Sequence, residues 1–227
     1  HAAQYNDGAV AIFSLEMPAE SLMRRMMSAQ SQVISGKLRS GNMNDEEFNK
    51  LNEAANELSG TKLFIDDSSN IKIAEIYSKC RKLKSEHGLD MVVIDYLQLI
   101  SGSGRNNSDN RQQEISEISR SLKGLAREME CPVIALSQLS RAVESRNDKH
   151  PMLSDLRESG SIEQDADIVM FLYRDEYYSK DKSEDNPSIP ERTDLDIAKH
   201  RNGATGRIEL AFAKSISAFY NFSGAME

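Results

Sequence analysis

The strongest constraint on the fold comes from short apolar runs that show no alternation between apolar and polar residues. They span residues 9–15, 91–94 and 132–136. A strand that is apolar on both faces must be covered on both faces, as in a parallel sheet packed between helices. Segments with helical spacing of apolar residues, such as residues 73–83, separate these runs. This alternation predicts an α/β fold built on a parallel sheet flanked by helices.

The carboxyl-terminal part of the chain has a different pattern. Residues 194–199, 207–213 and 218–222 have the composition of strands and are joined by short turns. Short connections make successive strands antiparallel neighbours, so we predict a sheet that is extended by C-terminal antiparallel strands. A chain of 227 residues has room for one sizeable α/β domain, and we predict a single domain over residues 1–227.

The composition narrows the possible functions. No apolar run approaches the roughly 20 residues needed to cross a bilayer, and no signal-like start is visible, so a cytosolic location is expected. Cys80 and Cys131 lack any pairing or ligand spacing and are predicted to be buried free thiols. The net charge of −8 argues against binding of duplex DNA through a uniformly basic face. Any contact with nucleic acid must therefore use a small local patch.

Each of the three apolar runs is followed almost at once by a polar residue: Glu16, Asp95 and Gln138. Because ligands of open parallel sheets bind at the carboxyl ends of the strands, we expect these side chains to converge on one edge. An apolar strand that ends in an aspartate is the Walker-B pattern, whose carboxylate can hold Mg²⁺ through water. Glu16 suits a general base that orients an attacking water, and Gln138 could hydrogen-bond a γ-phosphate.

Each of these residues also has a simpler interpretation when it is considered alone. Asp95 could be a solvated strand end, and Glu16 could be a carboxylate favoured at the start of a helix. Gln138 could be an ordinary polar residue that follows a strand. The expected convergence of the three is therefore the main indication of function that the residues give by themselves.

A second group of residues lies near the end of the predicted strand 194–199. Leu195, Ile197, Lys199 and Arg201 occupy alternate positions and are expected to share one face. Two apolar residues would anchor the strand, and two cations would project from its end. Such a pair can neutralise charge on transferring phosphoryl oxygens. Solvated strand-end cations are the simpler interpretation of these residues alone.

Five longer segments can be compared with known motifs as a set. They are FSLEM (residues 13–17), VIDYLQLI (93–100), ALSQLSR (135–141), DLRESGSIEQDAD (155–167) and KHRNG (199–203). In this order and spacing, over essentially the whole chain, they resemble successive motifs of the DnaB-type replicative DNA helicases. Five matching motifs make the resemblance highly specific. It implies a RecA-like motor domain.

The resemblance implies a role for each matching residue. Glu16 corresponds to the catalytic glutamate, Asp95 to the Walker-B aspartate that holds Mg²⁺ through water, and Gln138 to the γ-phosphate sensor. Lys199 and Arg201 correspond to the pair that reaches into the nucleotide site of the neighbouring subunit, with Arg201 as the arginine finger. ATP and Mg²⁺ are the implied cofactors.

The resemblance also implies partners. Arg157, Glu158 and Gly160 match the loop that tracks single-stranded DNA in the channel of a homo-hexamer. Six such loops would concentrate positive charge on the strand while the outer surface stays acidic. Movement in the 5′–3′ direction, a helicase loader, primase bound through an absent N-terminal domain and a bacterial or phage-infected cytoplasm are implied as well. A polar loop before a helix is the alternative interpretation of residues 155–161.

One motif of the family does not occur in these 227 residues, the phosphate-binding sequence GxxxxGK(S/T). In the family it lies shortly before the strand that matches residues 9–15, so its place, with its first strand and helix, falls before His1. We expect this chain alone to bind ATP very weakly and not to hydrolyse it. Three functions remain open: a helicase motor, a RecA-like ATPase that is not a helicase, and a non-catalytic assembly or loader-binding module. The DLRESG and KHRNG segments favour the first.

Overall fold

Strands and helices alternate along the first part of the chain, as the apolar pattern predicts. The computed structural model describes residues 1–101, 108–156, 160–175 and 190–222. The strands are β1 (Val10–Ser14), β2 (Leu63–Asp66), β3 (Met91–Asp95), β4 (Val133–Ala135), β5 (Ile168–Tyr173), β6 (Glu191–His200), β7 (Gly206–Ala213) and β8 (Ala218–Asn221). The helices are α1 (Ala2–Tyr5), α2 (Ala19–Ser31), α3 (Ser35–Ser40), α4 (Asp45–Ser59), α5 (Ile73–His87), α6 (Ser108–Met129), α7 (Ala142–Ser145) and α8 (Gly160–Asp165). All the strands predicted above are present, and the largest difference is that β6 begins at Glu191 rather than Asp194.

The first four strands form a parallel sheet in the order β2-β1-β3-β4. Phe13 of β1 and Ile94 of β3 are at most 1% exposed, whereas Ile12 and Val93 on the opposite face are half-buried. Both faces are thus covered to some degree, which explains why these strands contain no polar alternation. The predicted fold class, a parallel sheet with flanking helices and C-terminal antiparallel strands, is confirmed.

Helices α5 and α6 supply most of the helical part of the core beside this sheet. Ile76 and Cys80 of α5 are fully buried, as their spacing predicts. The α6 side chains that repeat at helical spacing are all buried: Ile115, Ile118, Leu122, Leu125 and Met129. Burial of each such side chain contributes about 1.5–3 kcal/mol. The core of this part of the chain is therefore formed by one stripe on each helix and the apolar strands.

A close contact sets the distance between α5 and α6. The Tyr77 hydroxyl donates a hydrogen bond of 2.6 Å to the carbonyl oxygen of Ser121. A Cβ atom on Gly124 would lie only 2.7 Å from the same hydroxyl oxygen. Gly124 thus leaves room for the ring of Tyr77, at the expense of about 1 kcal/mol of helix propensity relative to alanine.

The residue contacts divide the chain into two compact units. One unit comprises residues 1–20 and 59–166, which include the parallel sheet, and the other comprises residues 21–58 and 167–227. In the second unit, β5, β6, β7 and β8 form an antiparallel sheet in that order. These C-terminal strands hydrogen-bond to one another as a four-stranded sheet of their own. The expectation of a single domain stays a prediction.

Helix α4 of the second unit starts at a local capping signal, whereas α3 starts at a contact with a distant segment. Asn44 and Glu47 form the reciprocal capping box: the Glu47 N–H donates to Asn44 Oδ1 at 2.8 Å, and the Asn44 N–H donates to Glu47 Oε2 at 3.1 Å. The Ser35 N–H at the start of α3 donates to the carbonyl of Ser215 at 2.9 Å. This last bond ties the helical segment to the turn between β7 and β8.

No helix within residues 1–101, 108–156, 160–175 and 190–222 is both long and apolar enough to span a bilayer. Cys80 and Cys131 are buried free thiols, as predicted. Burial raises the pKa of the Cys80 thiol to about 12, and the nearby Cys131 adds to the rise. Burial also raises the pKa of Cys131.

Because the thiolate is the reactive form, we expect Cys80 in the folded chain to resist alkylation at a pH where an ordinary cysteine, with a pKa of about 8.5, reacts readily. Mass spectrometry after iodoacetamide treatment would count the modified thiols. The same chain unfolded in guanidinium chloride is the control, in which both cysteines should be labelled. Rapid labelling of Cys80 under native conditions would contradict this prediction.

Candidate functional site

The hydrogen-bond register aligns the carboxyl ends of three strands of the parallel sheet. Ser14 lies opposite Asp95, and Ile94 lies opposite Ala135. The pairing continues past the strands, because the Leu15 N–H donates to the carbonyl of Asp95 at 2.8 Å. The strands β1, β3 and β4 therefore end at one edge of the sheet.

This alignment places Glu16, Asp95 and Gln138 at the same carboxyl edge, as predicted. Asp95 is the last residue of β3, Glu16 follows β1, and Gln138 follows β4. Glu16 and Gln138 are exposed, and Asp95 is half-buried. Two carboxylates and one amide from neighbouring strands thus lie at the edge where open α/β sheets bind ligands.

The turn that carries Glu16 is fixed by two hydrogen bonds. The Ser14 hydroxyl donates to the carbonyl of Met17 at 2.7 Å. The first N–H of α2, from Ala19, donates to Asp67 Oδ2 at 2.9 Å. Asp67 follows β2, so a carboxylate from the neighbouring strand caps the helix that begins after Glu16. No role for Asp67 could be predicted from the sequence, because no local signal links it to a helix 48 residues away.

Gln98 holds the main chain of Gln138. The Gln98 side-chain amide donates to Ser137 Oγ at 3.0 Å, and its Oε1 accepts the N–H of Gln138 at 3.2 Å. Arg111 of α6 in turn donates to the carbonyl of Gln98. Gln98 lies within the VIDYLQLI segment, but no role was predicted for it from the sequence. Its position three residues after Asp95, beside the neighbouring strand end, is the signal that could have revealed it.

The segment that follows Gln138 contacts the segment that precedes the DNA loop implied by the family. Leu139 and Leu156 form an antiparallel bridge, and the Ser140 N–H donates to the carbonyl of Asp155 at 2.8 Å. Gly160 is the first residue of α8. Arg157 and Glu158, which were predicted to contact DNA, lie outside the described residues.

The two predicted cations belong to the second unit, and a β-bulge changes their orientation. Met170 pairs with Ile197, but Val169 pairs with Lys199, so Ala198 is an extra residue in β6. Lys199 therefore lies on the face of Val169, and Ile197 lies on the opposite face. The prediction that Leu195 and Ile197 share a face with the cations is wrong, because a bulge shifts the two-residue period by one.

The two cations still share a face with each other. The Arg201 N–H donates to the carbonyl of Asp167 at 2.8 Å, and Asp167 is two residues before Val169. The Arg201 guanidinium lies 3.4 Å from the Asp167 carboxylate, and 46% of the Arg201 side chain is exposed. Gly203 allows the turn that follows, because a Cβ atom there would lie 2.4 Å from the His200 ring.

The described residues contain no group of three or more histidine, cysteine, aspartate or glutamate side chains that could hold a metal ion. A magnesium ion at Asp95 would therefore depend on water and phosphate oxygens for its other ligands, which is the usual mode for Mg²⁺. A half-buried carboxylate at the sheet edge is compatible with that mode.

The fold and the aligned strand ends together define an α/β protein in which polar side chains lie at the carboxyl ends of parallel strands. Residues 1–221 match the model of the family described as "DnaB-like helicase C terminal domain". The chain belongs to this family.

Named relatives and solved structures agree with this assignment. The chain is 57% identical over 219 residues to "Replicative DNA helicase DnaC" of Bacillus subtilis (strain 168), covering 96% of this chain and 47% of that protein. It is 58% identical over 212 residues to "Replicative DNA helicase DnaB" of Geobacillus stearothermophilus, covering 93% of this chain and 45% of that protein. The chain thus spans about half the length of these curated relatives.

Two solved structures share the fold. One is described as "The Structure Of A DnaB-Like Replicative Helicase And Its Interactions With Primase", with a TM-score of 0.88, 42% identity and coverage of 97% of this chain and 52% of that chain. The other is described as an "ATPase Domain" and has the same TM-score and identity. That match covers 97% of this chain and 76% of that chain. The second match covers the larger share of its counterpart, so the likeness includes most of that domain.

The capping bond from Asp67 gives a test of how the edge is built. We expect Asp67→Ala to lower the free energy of unfolding by about 1 kcal/mol, because it leaves the first N–H of α2 without its acceptor. Asp67→Asn keeps an acceptor oxygen and should lose much less stability. Chemical denaturation of the three proteins measures the difference. Equal stability of Asp67→Ala and the parent chain would show that this bond contributes nothing.

Proposed function

We propose that this chain is the motor portion of a ring-forming replicative DNA helicase, which hydrolyses ATP and moves along single-stranded DNA in the 5′–3′ direction. The observation that carries the proposal is the alignment of Glu16, Asp95 and Gln138 at one edge of the sheet. Membership of the DnaB-like helicase family and the names of the relatives support it. ATP and Mg²⁺ are the cofactors that we propose for the intact parent protein.

Each residue of the edge has a proposed part in hydrolysis. Glu16 acts as the general base that orients and deprotonates the attacking water. Asp95 would hold Mg²⁺ through water, and the ion would supply positive charge to stabilise the transferring phosphoryl group. Gln138 donates a hydrogen bond to the γ-phosphate from a main chain that Gln98 holds in place. Positioning and charge are the main contributions a protein can make to phosphoryl transfer.

Lys199 and Arg201 are proposed to act on the nucleotide of the neighbouring subunit. They lie on one face at the end of β6, and nearly half of the Arg201 side chain is exposed. A guanidinium with a fixed charge can contact two phosphate oxygens at once and offset the charge that builds up on them. An arginine in this role contributes about 10³–10⁵ to the rate of hydrolysis.

Arg157, Glu158 and Gly160 are proposed to contact single-stranded DNA in the channel of a homo-hexamer. A channel lined by one loop from each subunit would reconcile DNA binding with a net charge of −8. A helicase loader, and primase bound through a further domain of the parent protein, are the proposed protein partners, and the cytoplasm of a bacterium or an infected cell is the proposed location.

One observation favours a second function for the chain by itself. The sequence GxxxxGK(S/T), whose main-chain N–H groups and lysine hold phosphates in related proteins, does not occur in these 227 residues. Without such a loop, the chain could serve as a non-catalytic module for assembly or loader binding.

An assay of the intact parent protein distinguishes the helicase motor from a RecA-like ATPase that is not a helicase and from a non-catalytic module. We expect ATP hydrolysis that single-stranded DNA stimulates, together with unwinding of a forked duplex, while the 227-residue chain alone hydrolyses no ATP. Stimulated hydrolysis without unwinding would indicate a RecA-like ATPase that is not a helicase. Absence of hydrolysis in the intact protein would indicate the non-catalytic module.

Mixed rings test whether Arg201 acts on a neighbouring subunit. We expect Glu16→Gln and Arg201→Ala each to reduce the kcat for ATP by at least about a hundredfold. When the two variants are mixed, an Arg201→Ala subunit still has Glu16 and can receive Arg201 from a Glu16→Gln neighbour. Random mixing should therefore restore roughly a quarter of the sites of a cyclic ring.

The control for this experiment is a mixture of Glu16→Gln with the double variant that carries both substitutions, which has no intact pair of groups at any interface. A mixture of the single variants that stays as inactive as this control would mean that Glu16 and Arg201 act within one chain.

A further inference from the structure

A buried ion pair lies between the segment after β4 and the start of the implied DNA loop. Asp155 is 4% exposed, and its two carboxylate oxygens accept hydrogen bonds from Arg146 Nη1 and Nη2 at 2.9 and 2.8 Å. The Arg146 side chain is 28% exposed. Two parallel bonds of this kind fix the relative orientation of the two planar groups as well as their distance.

The same two residues also bind the main chain around them. Arg146 Nη2 donates to the carbonyl of His150 at 2.7 Å, and Arg146 Nε donates to the carbonyl of Asp148 at 3.3 Å. The N–H of Met152 donates to Asp155 Oδ2 at 2.7 Å. The pair therefore closes residues 146–155 into one braced segment, in which a shift of Asp155 moves Arg146 with it.

This braced segment is attached directly to the candidate site. The carbonyl of Asp155 accepts the N–H of Ser140 at 2.8 Å, and the next residue, Leu156, bridges Leu139. Gln138 immediately precedes Leu139, and Arg157 immediately follows Leu156. The residue proposed to bind the γ-phosphate and a residue proposed to bind DNA are thus each adjacent in sequence to the same bridge.

We propose that Arg146 and Asp155 are positioning residues that couple occupancy of the DNA site to ATP hydrolysis. Neither residue contacts nucleotide or DNA in this assignment. The pair keeps the Leu139–Leu156 bridge rigid, so that a displacement on the DNA side is transmitted to the main chain of Gln138. The inference rests on the proposed function and adds to it the path between the two sites.

A purely structural role is the alternative, although a buried ion pair often contributes little net stability and can sometimes be replaced by apolar residues. The two roles differ in what they control. A structural pair affects the stability of the whole domain and hence hydrolysis under all conditions. A coupling pair affects the response of hydrolysis to DNA.

Two variants of the intact parent protein test the coupling. Arg146→Lys keeps the charge but loses the two-bond geometry. The double variant Arg146→Met with Asp155→Leu removes both charges at similar volume, which avoids leaving one charge buried alone. In both we expect kcat at saturating single-stranded DNA to fall about tenfold, while KM for ATP and the rate without DNA change less than about twofold.

The matched control is Arg174→Lys in the second unit. Arg174 has a similar side-chain exposure of 26% and donates to Glu191 at 2.9 Å, but both residues belong to the second unit, whereas the Leu139–Leu156 bridge belongs to the first. It should retain the parent's stimulation by DNA. Thermal melting of all variants would report changes in stability separately from changes in rate.

The outcomes separate this inference from the proposed function. If the parent protein shows no stimulation by single-stranded DNA, the proposed function fails and the coupling with it. If the parent is stimulated, the coupling alone is overturned when either variant keeps the parent's stimulation factor. It is equally overturned when the rates with and without DNA fall in parallel.

Discussion

The parallel hydrogen-bond register of β1, β3 and β4 is the constraint on which the rest of this structure depends. Parallel strands end at the same edge, so the pairing of Ser14 with Asp95 and of Ile94 with Ala135 determines where the residues after each strand lie. In β1 and β3 the register holds because the inner face, formed by Ala11, Phe13, Val92 and Ile94, is fully buried. A slip by one residue would move that apolar face out of the core.

The polar residues around this edge are supported by hydrogen bonds from neighbouring segments, and the bonds around Gln138 form a network. Asp67 caps the helix after Glu16, and Gln98 fixes the main chain of Gln138. The bridge between Leu139 and Leu156 continues this network away from the edge. In a site that works by positioning charges, such supporting bonds limit how far each group can move, which is why residues that touch no substrate can control the rate.

In the second unit, a β-bulge determines the position of the two candidate cations, Lys199 and Arg201. The extra residue Ala198 shifts the alternation of side chains in β6 by one position. Lys199 and Arg201 therefore lie on the face opposite Leu195 and Ile197. Bulges commonly redirect side chains near the ends of strands. The Arg201 guanidinium, 46% exposed, lies beside the Asp167 carboxylate, while Asp194 and Asp196 of β6 pair with Arg207.

The sequence by itself determined the fold class, six of the strands, the free cysteines and the common edge of Glu16, Asp95 and Gln138. These features follow from local periodicity and from the rule that parallel strands share an edge. Only the tertiary structure decided the bulge at Ala198, the cap from Asp67 and the Arg146–Asp155 pair. A bulge depends on the register of the partner strand, and the other two depend on contacts between separate segments, so periodicity within one segment contains no record of them.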